Sequence, residues 1–187
     1  NHKPKNCIKL VTDVYNLKFL NNIEFENSVV ILPILIFKKN KNTFKQKFKK
    51  LVDLILSKNP NKIILLSSAS IYGSSNKIVN EKSNIKIKSE YTKLCKISEN
   101  ICLKKKSKKI IILRISNLFG NFRDKPSFIE KIIHNYLYKK QYKLNKEELI
   151  RSYLSIKEFS KMIKKIIIKN SYNKIYNISN PNNIRNS

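Results

Sequence analysis

Glycine is nearly missing from this sequence: among its 187 residues only Gly73 and Gly120 are glycine. That excludes a glycine-rich phosphate-binding loop within it, because such a loop needs several positions without a Cβ where backbone closes on a pyrophosphate at a helix amino terminus. Cysteine is scarce too. Cys7, Cys95 and Cys102 have no metal-ligand spacing and cannot all pair with one another, which fits a reducing compartment. His2 and His134 have no cysteine or histidine at ligand spacing, so no metal site is expected. No apolar run approaches a membrane span, the longest lying within residues 28–37, and the opening Asn1-His2-Lys3-Pro4 lacks the apolar core of a signal peptide. The expectation is a soluble, cytoplasmic protein with no membrane partner. A chain of this length can bury a substantial core, and its size favours one domain.

Acidic residues are few as well, 12 against 40 lysines and arginines, for a formal net charge of +28. Such an excess ordinarily places nucleic acid first among partners. Two features argue otherwise. Arginine occurs only at Arg114, Arg123, Arg151 and Arg185, and the lysines are scattered over nearly every element alongside many asparagines and isoleucines. AT-rich coding DNA produces that joint bias, since the codons for Lys, Asn and Ile can be written almost wholly in A and T. A dedicated nucleic-acid surface more often gathers arginine and stacking aromatics on one face. The nearest segment of that kind is His134-Asn135-Tyr136-Leu137-Tyr138-Lys139-Lys140-Gln141-Tyr142-Lys143, which also reads as a helix end with solvated lysines. No specific nucleic-acid partner is therefore expected, although the positive field should attract anionic metabolites. Binding to unrelated DNA, measured by fluorescence anisotropy, should collapse between low and physiological salt, as contacts with phosphate alone do. A tight, sequence-selective complex surviving physiological salt would overturn this reading.

What the sequence does contain is an alternation of strand and helix. Residues 7–11 read as a strand ending at Thr12-Asp13, followed by a short helix near 16–22 and a strong strand over 29–37. Residues 43–57 carry Phe44, Phe48, Leu51, Val52 and Ile55 at helical spacing, and Asn59-Pro60-Asn61 stops that helix. The run Ile63-Ile64-Leu65-Leu66 shows no polar alternation, as a central strand covered on both faces would not. A polar stretch over 74–90, a helix over 91–106 and a strand over 109–115 follow. The pattern predicts an α/β protein with a parallel sheet, right-handed crossovers and helices on both faces. Beyond Gly120 the periodicity predicts a helix near 127–138, a short irregular stretch, a helix near 156–170 and a strand over 174–178.

At the carboxyl end of the serine strand stand Ser67, Ser68 and Ser70, then Tyr72 and Gly73. Open α/β sheets place their ligands at that edge. The order Ser67-Ser68-Ala69-Ser70-Ile71-Tyr72-Gly73, then Tyr91 opening a helix, then Arg114-Ile115-Ser116-Asn117-Leu118-Phe119-Gly120 resembles the extended short-chain dehydrogenase/reductases, specifically the NAD-dependent epimerase/dehydratase family that includes UDP-glucose 4-epimerase. Arg151-Ser152-Tyr153-Leu154 and Ile175-Tyr176-Asn177-Ile178-Ser179 are similar to two later segments of that family, so the resemblance runs from about Val11 to Pro181. It implies a Rossmann-like sheet over residues 1–120 and a small substrate-side lobe over 121–187, partly packed on the sheet. It also implies NAD or NADP as cofactor, a nucleotide sugar as substrate and a possible homodimer. In the family a glycine-rich unit precedes the third strand, to which Val11-Thr12-Asp13 corresponds. About two strands and two helices are accordingly expected ahead of Asn1.

The resemblance also assigns roles. Tyr91 stands where the family places its acid/base tyrosine, which also meets the cofactor, and Ser68 where a hydroxyl bonds the substrate oxygen beside it. The position four residues after Tyr91, a lysine in the family, is Cys95, while Glu99 keeps the family's next acidic position. The competing register sets Thr92 and Lys96 at those positions and loses the tyrosine. In the first register Lys96 projects about 140° around the helix from Tyr91. Asp13 matches an acid that accepts from the adenine amino group, Asn117 an asparagine near the substrate phosphates, and Arg151 an arginine that grips a diphosphate. Each has a plainer reading: Asp13 as a helix cap, Ser68 as a turn cap, Asn117 as an Asx turn, Tyr72 and Gly73 as shapers of a turn. Two functions remain open beside the enzyme: a catalytically impaired nucleotide-sugar-binding relative, and a basic nucleic-acid-binding domain.

Overall fold

Isoleucine- and leucine-rich runs too short for helices and without polar alternation become the central strands. The computed structural model describes residues 13–34, 41–74, 78–120, 127–139, 149–169, 174–181 and 183–186. Strands β1 (Val29–Pro33), β2 (Lys62–Ser68), β3 (Ile110–Ile115) and β6 (Ile175–Ile178) form one sheet in the order β1-β2-β3-β6, every pair parallel. Pairing sets Ser67 beside Arg114 and Ser68 beside Ile115, so the serines finish level with the end of β3. The expected strand at 7–11 and the outer part of the one expected over 29–37 lie outside the described residues.

Alternate residues of these strands enter two separate cores. Ile63, Leu65, Ile110 and Ile112 pack with Phe44, Phe48, Leu51, Val52 and Ile55 of α2 (Lys41–Ser57) and with Leu94, Ile101 and Cys102 of α3 (Glu90–Lys104). Ile64, Ile111, Leu113 and Ile115 face the other way, against Phe159, Met162, Ile163 and Ile166 of α5 (Ile156–Ile168). This double burial explains why β3 has no exposed residue and why its sequence does not alternate. The fold is Rossmann-like, as expected. A short helix, α1 (Leu17–Asn21), adds Leu20 to the first core.

The helix ends are closed by their own chemistry. Ser89 and Thr92 form a reciprocal capping box at the start of α3, and Ser155 with Glu158 does the same for α5. At the other end of α5, Lys62 Nζ donates to the carbonyl oxygens of Ile166, Ile167 and Lys169 at 3.1, 2.6 and 2.8 Å, placing an ammonium where the helix dipole is negative.

One expectation needs correction. The stretch between the helices near 127–138 and 156–170 was expected to be irregular, yet Leu149–Ser155 forms a strand, β5, in a second sheet ordered β4-β5-β7. Strand β4 (Asn117–Phe119) pairs parallel to β5, and β7 (Asn183–Asn186) pairs antiparallel to it. Polar Arg151 and Ser152 break any alternation within β5, and its partners are only three and four residues long. Such a strand is made by its pairing rather than by its own pattern. Helix α4 (Phe128–Leu137) follows the expected span and buries none of its residues.

Candidate active site

The site begins where β2 runs out. Ser68, in extended conformation with φ −134°, caps a 3-10 turn over Ala69–Tyr72, its Oγ accepting from Ser70 N at 3.2 Å and lying 2.8 Å from Ser70 Oγ. Gly73 closes the turn at φ +72°, where a Cβ would also come within 3.2 Å of Lys86 Cβ, so glycine is required there by conformation and by space. The plain reading of Ser68 as a turn cap is thus met, and its side chain still interacts with Tyr91.

Tyr91 lies in the first turn of α3, oriented by the capping box immediately around it. Its hydroxyl interacts with the side chains of both Ser68 and Cys95. Burial, followed by the proximity of Cys95, pushes the phenol up to about 12, while the hydrogen bond with Ser68 works in the opposite direction. Cys95, one helical turn on, is completely buried and contacts Tyr91 and Ser67. Burial raises its thiol pKa, which keeps it in the neutral form. Thr92, the tyrosine's competitor in the other register, is spent on the cap: its Oγ1 accepts from Lys88 N and Ser89 N at 3.2 and 3.0 Å. The structure therefore brings Ser68, Tyr91 and Cys95 together, and it is Cys95 rather than Lys96 that stands one turn beyond Tyr91.

Beneath them runs a buried polar network that sequence reasoning did not assemble. Arg114 Nε and Nη2 donate to the two oxygens of Glu99 at 3.0 and 2.7 Å, and Ser67 Oγ donates to Glu99 Oε1 at 2.6 Å. Arg114 Nη1 reaches the Tyr72 hydroxyl at 2.8 Å and the Glu81 carbonyl at 3.1 Å. The Tyr72 hydroxyl in turn donates to Asn177 Oδ1 at 2.7 Å, and Glu81 Oε1 accepts from Asn177 N at 2.7 Å. Burial opposes the arginine's charge, but its bonds to Glu99 and Tyr72 outweigh that and drive its pKa above the ordinary value. Tyr72, read from sequence as a turn-former, is a working member of this network. A usable signal was present: an arginine in an otherwise apolar strand, and a glutamate on the apolar side of α3, each demanding a partner.

The remaining residues are more dispersed. Asn117 Nδ2 donates to the Ser152 carbonyl at 3.2 Å, tying β4 to β5 just beyond the end of β3. Arg151 sits half-buried on β5, and its buried Nε has no hydrogen-bond partner among the described residues. Asp13 is exposed and its Oδ1 accepts from Tyr15 N at 3.0 Å, a local turn rather than the helix cap of its plainer reading, since the residue that caps α1 is Asn16. Among the described residues no group of three or more His, Cys, Asp and Glu side chains could hold a metal ion, and no helix is long and apolar enough to cross a membrane.

Among the described residues, Tyr91 and Ser68 offer hydroxyls at the carboxyl end of the parallel sheet, the edge at which open α/β sheets bind their ligands. Both glycines of the sequence serve other turns, Gly73 after the 3-10 turn and Gly120 after β4, so neither belongs to a pyrophosphate cradle.

Comparison with known proteins gives the same direction. The chain matches the model of the NAD dependent epimerase/dehydratase family over residues 41–179, well over half its length. No curated protein sequence matches it. Its fold is similar to that of ADP-L-glycero-D-manno-heptose-6-epimerase from Helicobacter pylori, with a TM-score of 0.78 at 18% identity over 94% of this chain and 60% of that one. It is also similar to dTDP-glucose 4,6-dehydratase from Bacillus anthracis, solved in complex with NAD, with a TM-score of 0.73 at 19% identity over 94% of this chain and 59% of the other. UDP-glucuronic acid 4-epimerase from Bacillus cereus, in complex with UDP-glucuronic acid and NAD, gives 0.74 at 19% identity over 93% and 60%. The chain thus spans about 60% of the length of these structures. With the family model covering Ser68, Tyr91, Cys95 and Asn117 in one continuous match, the chain belongs to the NAD-dependent epimerase/dehydratase family.

Proposed function

We propose that this chain carries the proton-handling part of an NAD- or NADP-dependent enzyme that epimerises, dehydrates or reduces a nucleotide sugar. The observation that carries the reading is the meeting of the Tyr91 and Ser68 side chains at the carboxyl end of the parallel sheet. Ser68 holds the sugar hydroxyl beside the phenol, and Tyr91 exchanges a proton with that oxygen. When bound, the dinucleotide supplies the acceptor for the hydride from the sugar carbon. Asn117 and Arg151 are the groups for the substrate's phosphates; Arg151 Nε, without a hydrogen-bond partner among the described residues, leaves a donor for an anionic oxygen. Asp13 serves the adenine end, and residues 121–187 form the substrate-side lobe. The protein works in the cytoplasm as a homodimer.

A second reading is favoured by one specific observation. Cys95 brings no positive charge to Tyr91, and the phenol is pushed up to about 12 rather than down towards neutrality. A site so built binds a nucleotide sugar while turning it over slowly or not at all. The two readings separate on the Cys95→Lys variant, assayed for conversion of a panel of nucleotide sugars with added NAD. The base form of Tyr91 is the tyrosinate, so the rate of an enzyme using it climbs with pH below the phenol's pKa. An ammonium within about 4 to 6 Å stabilises that anion and lowers the pKa by at least a unit, so the limb moves to lower pH and the rate at pH 7 rises about tenfold. Cys95→Met, similar in length but uncharged, should leave the profile where it was. Binding of nucleotide sugar without turnover in all three proteins would establish the binding-only reading.

A further inference from the structure

We propose that Glu99 is a positioning residue for the Tyr91–Ser68 pair, and that it acts through the hydroxyl of Ser67. The inference rests on the reading of Tyr91 and Ser68 as the groups that handle the proton. Ser67 and Ser68 are consecutive at the end of β2, and Tyr91 and Glu99 lie on α3 about two turns apart. The 2.6 Å bond from Ser67 Oγ to Glu99 Oε1 therefore joins the strand that carries one member of the pair to the helix that carries the other. Glu99 cannot swing away, because Nε and Nη2 of Arg114 occupy both its oxygens at 3.0 and 2.7 Å from the neighbouring strand β3.

Ser67, Glu99 and Arg114 are 3%, 0% and 3% exposed, so the whole junction is out of water. A buried ion pair is close to break-even against apolar groups of the same shape, so what such a junction supplies is geometry more than stability. Here it fixes the height and rotation of α3 on the sheet. Sliding α3 by one residue would move Tyr91 about 1.5 Å along the axis and turn it about 100°. A hydroxyl contact tolerates well under an ångström, and a misplacement of about 1 Å can cost about a hundredfold in rate. The apolar contacts of Leu94, Ile101 and Cys102 with the sheet are tolerant of such sliding, and Cys95 contributes no charged tether of its own.

Ser67→Ala breaks the link while leaving the Glu99–Arg114 pair in place, and Ser67→Thr keeps the hydroxyl. The helix carries two reporters: Cys95, beside Tyr91, and Cys102, seven residues on, are 0% and 2% exposed. Their alkylation by iodoacetamide in the folded protein can be followed separately by peptide mass mapping. Ser67→Ala should raise the Cys95 rate about tenfold while the Cys102 rate stays within about a factor of two, Ser67→Thr should restore the original rate, and the double variant Glu99→Leu with Arg114→Met, which keeps the Ser67 hydroxyl against Cys95, should raise it as Ser67→Ala does. In the NAD-supplemented assay kcat should fall about tenfold with KM unchanged, the signature of an interaction realised in the transition state. Acceleration of both cysteines together with a lower melting temperature would show a merely structural bond and overturn the proposal. So would an unchanged Cys95 rate, or a raised one in an active enzyme whose kcat does not move. Because alkylation needs no turnover, the expected labelling pattern in a protein that converts no nucleotide sugar would refute the enzymatic reading and support the placement of Tyr91 by Glu99.

Discussion

Tyr91→Phe is expected to lower turnover of a nucleotide sugar by about a hundredfold to ten-thousandfold, the span over which a positioned acid/base group contributes. The substitution removes one oxygen and little else. Tyr91 is only partly buried, and the capping box that sets the first turn of α3 uses Ser89 and Thr92, not its hydroxyl. Helix start, sheet and the buried network should survive, so circular dichroism and melting temperature should stay near the parent values. The measurement is kcat across pH with NAD present. An enzyme in which Tyr91 supplies the tyrosinate loses its alkaline-rising limb along with its rate. If Tyr91→Phe retains more than roughly a third of the activity, the proton is handled elsewhere and the assignment of the site fails.

A second large effect is expected in stability. Arg114→Met should cost about 3 to 5 kcal/mol, because it leaves the fully buried Glu99 carboxylate with Ser67 as its remaining donor among the described residues and takes a donor from the Tyr72 hydroxyl. For a chain of this size that corresponds to a fall in melting temperature of about 6 to 20 °C. Arg114→Met combined with Glu99→Leu removes both charges and should recover much of the loss, since neither partner is then stranded. Urea titration of the two variants decides it. A single variant melting within about 2 °C of the parent would mean that water or rearrangement satisfies Glu99, and that the network is looser than its distances imply.

Much of the fold was legible because burial on both faces of a sheet writes itself into composition. Ile63-Ile64-Leu65 and Ile110-Ile111-Ile112-Leu113 have no polar break since odd and even positions both enter cores. Helices α2, α3, α4 and α5 were legible from spacing and stop signals, within a few residues at each end. Strand β5 was not, because a strand defined by its partners leaves no periodic trace around Arg151 and Ser152.

The candidate site divides along the same line. Ser68 and Tyr91 could be singled out because their order along the chain follows a family pattern, and the cysteine at the lysine position could be noticed for the same reason. Ser67, Glu99, Arg114, Tyr72, Glu81 and Asn177 come from six separate segments, and only folding shows that their donors and acceptors match. Sequence could say that Arg114 and Glu99 each needed a partner; it could not say that they are each other's.

Lysine enrichment of this degree invites wholesale replacement when a protein is engineered for crystallisation or for lower non-specific adsorption. Lys62 argues for choosing the targets individually. Its ammonium closes the last turn of α5 through three carbonyls, at the edge of β2 opposite the serines. Lys58 similarly holds the carbonyls of Asn21 and Ile23 at the carboxyl end of α1, and Lys109 meets the Asn59 side chain. However the codons came to favour lysine, the fold has adopted some of the resulting ammonium groups as helix and loop fasteners. A charge-reduced variant should retain these three and take its substitutions from lysines that project freely into solvent.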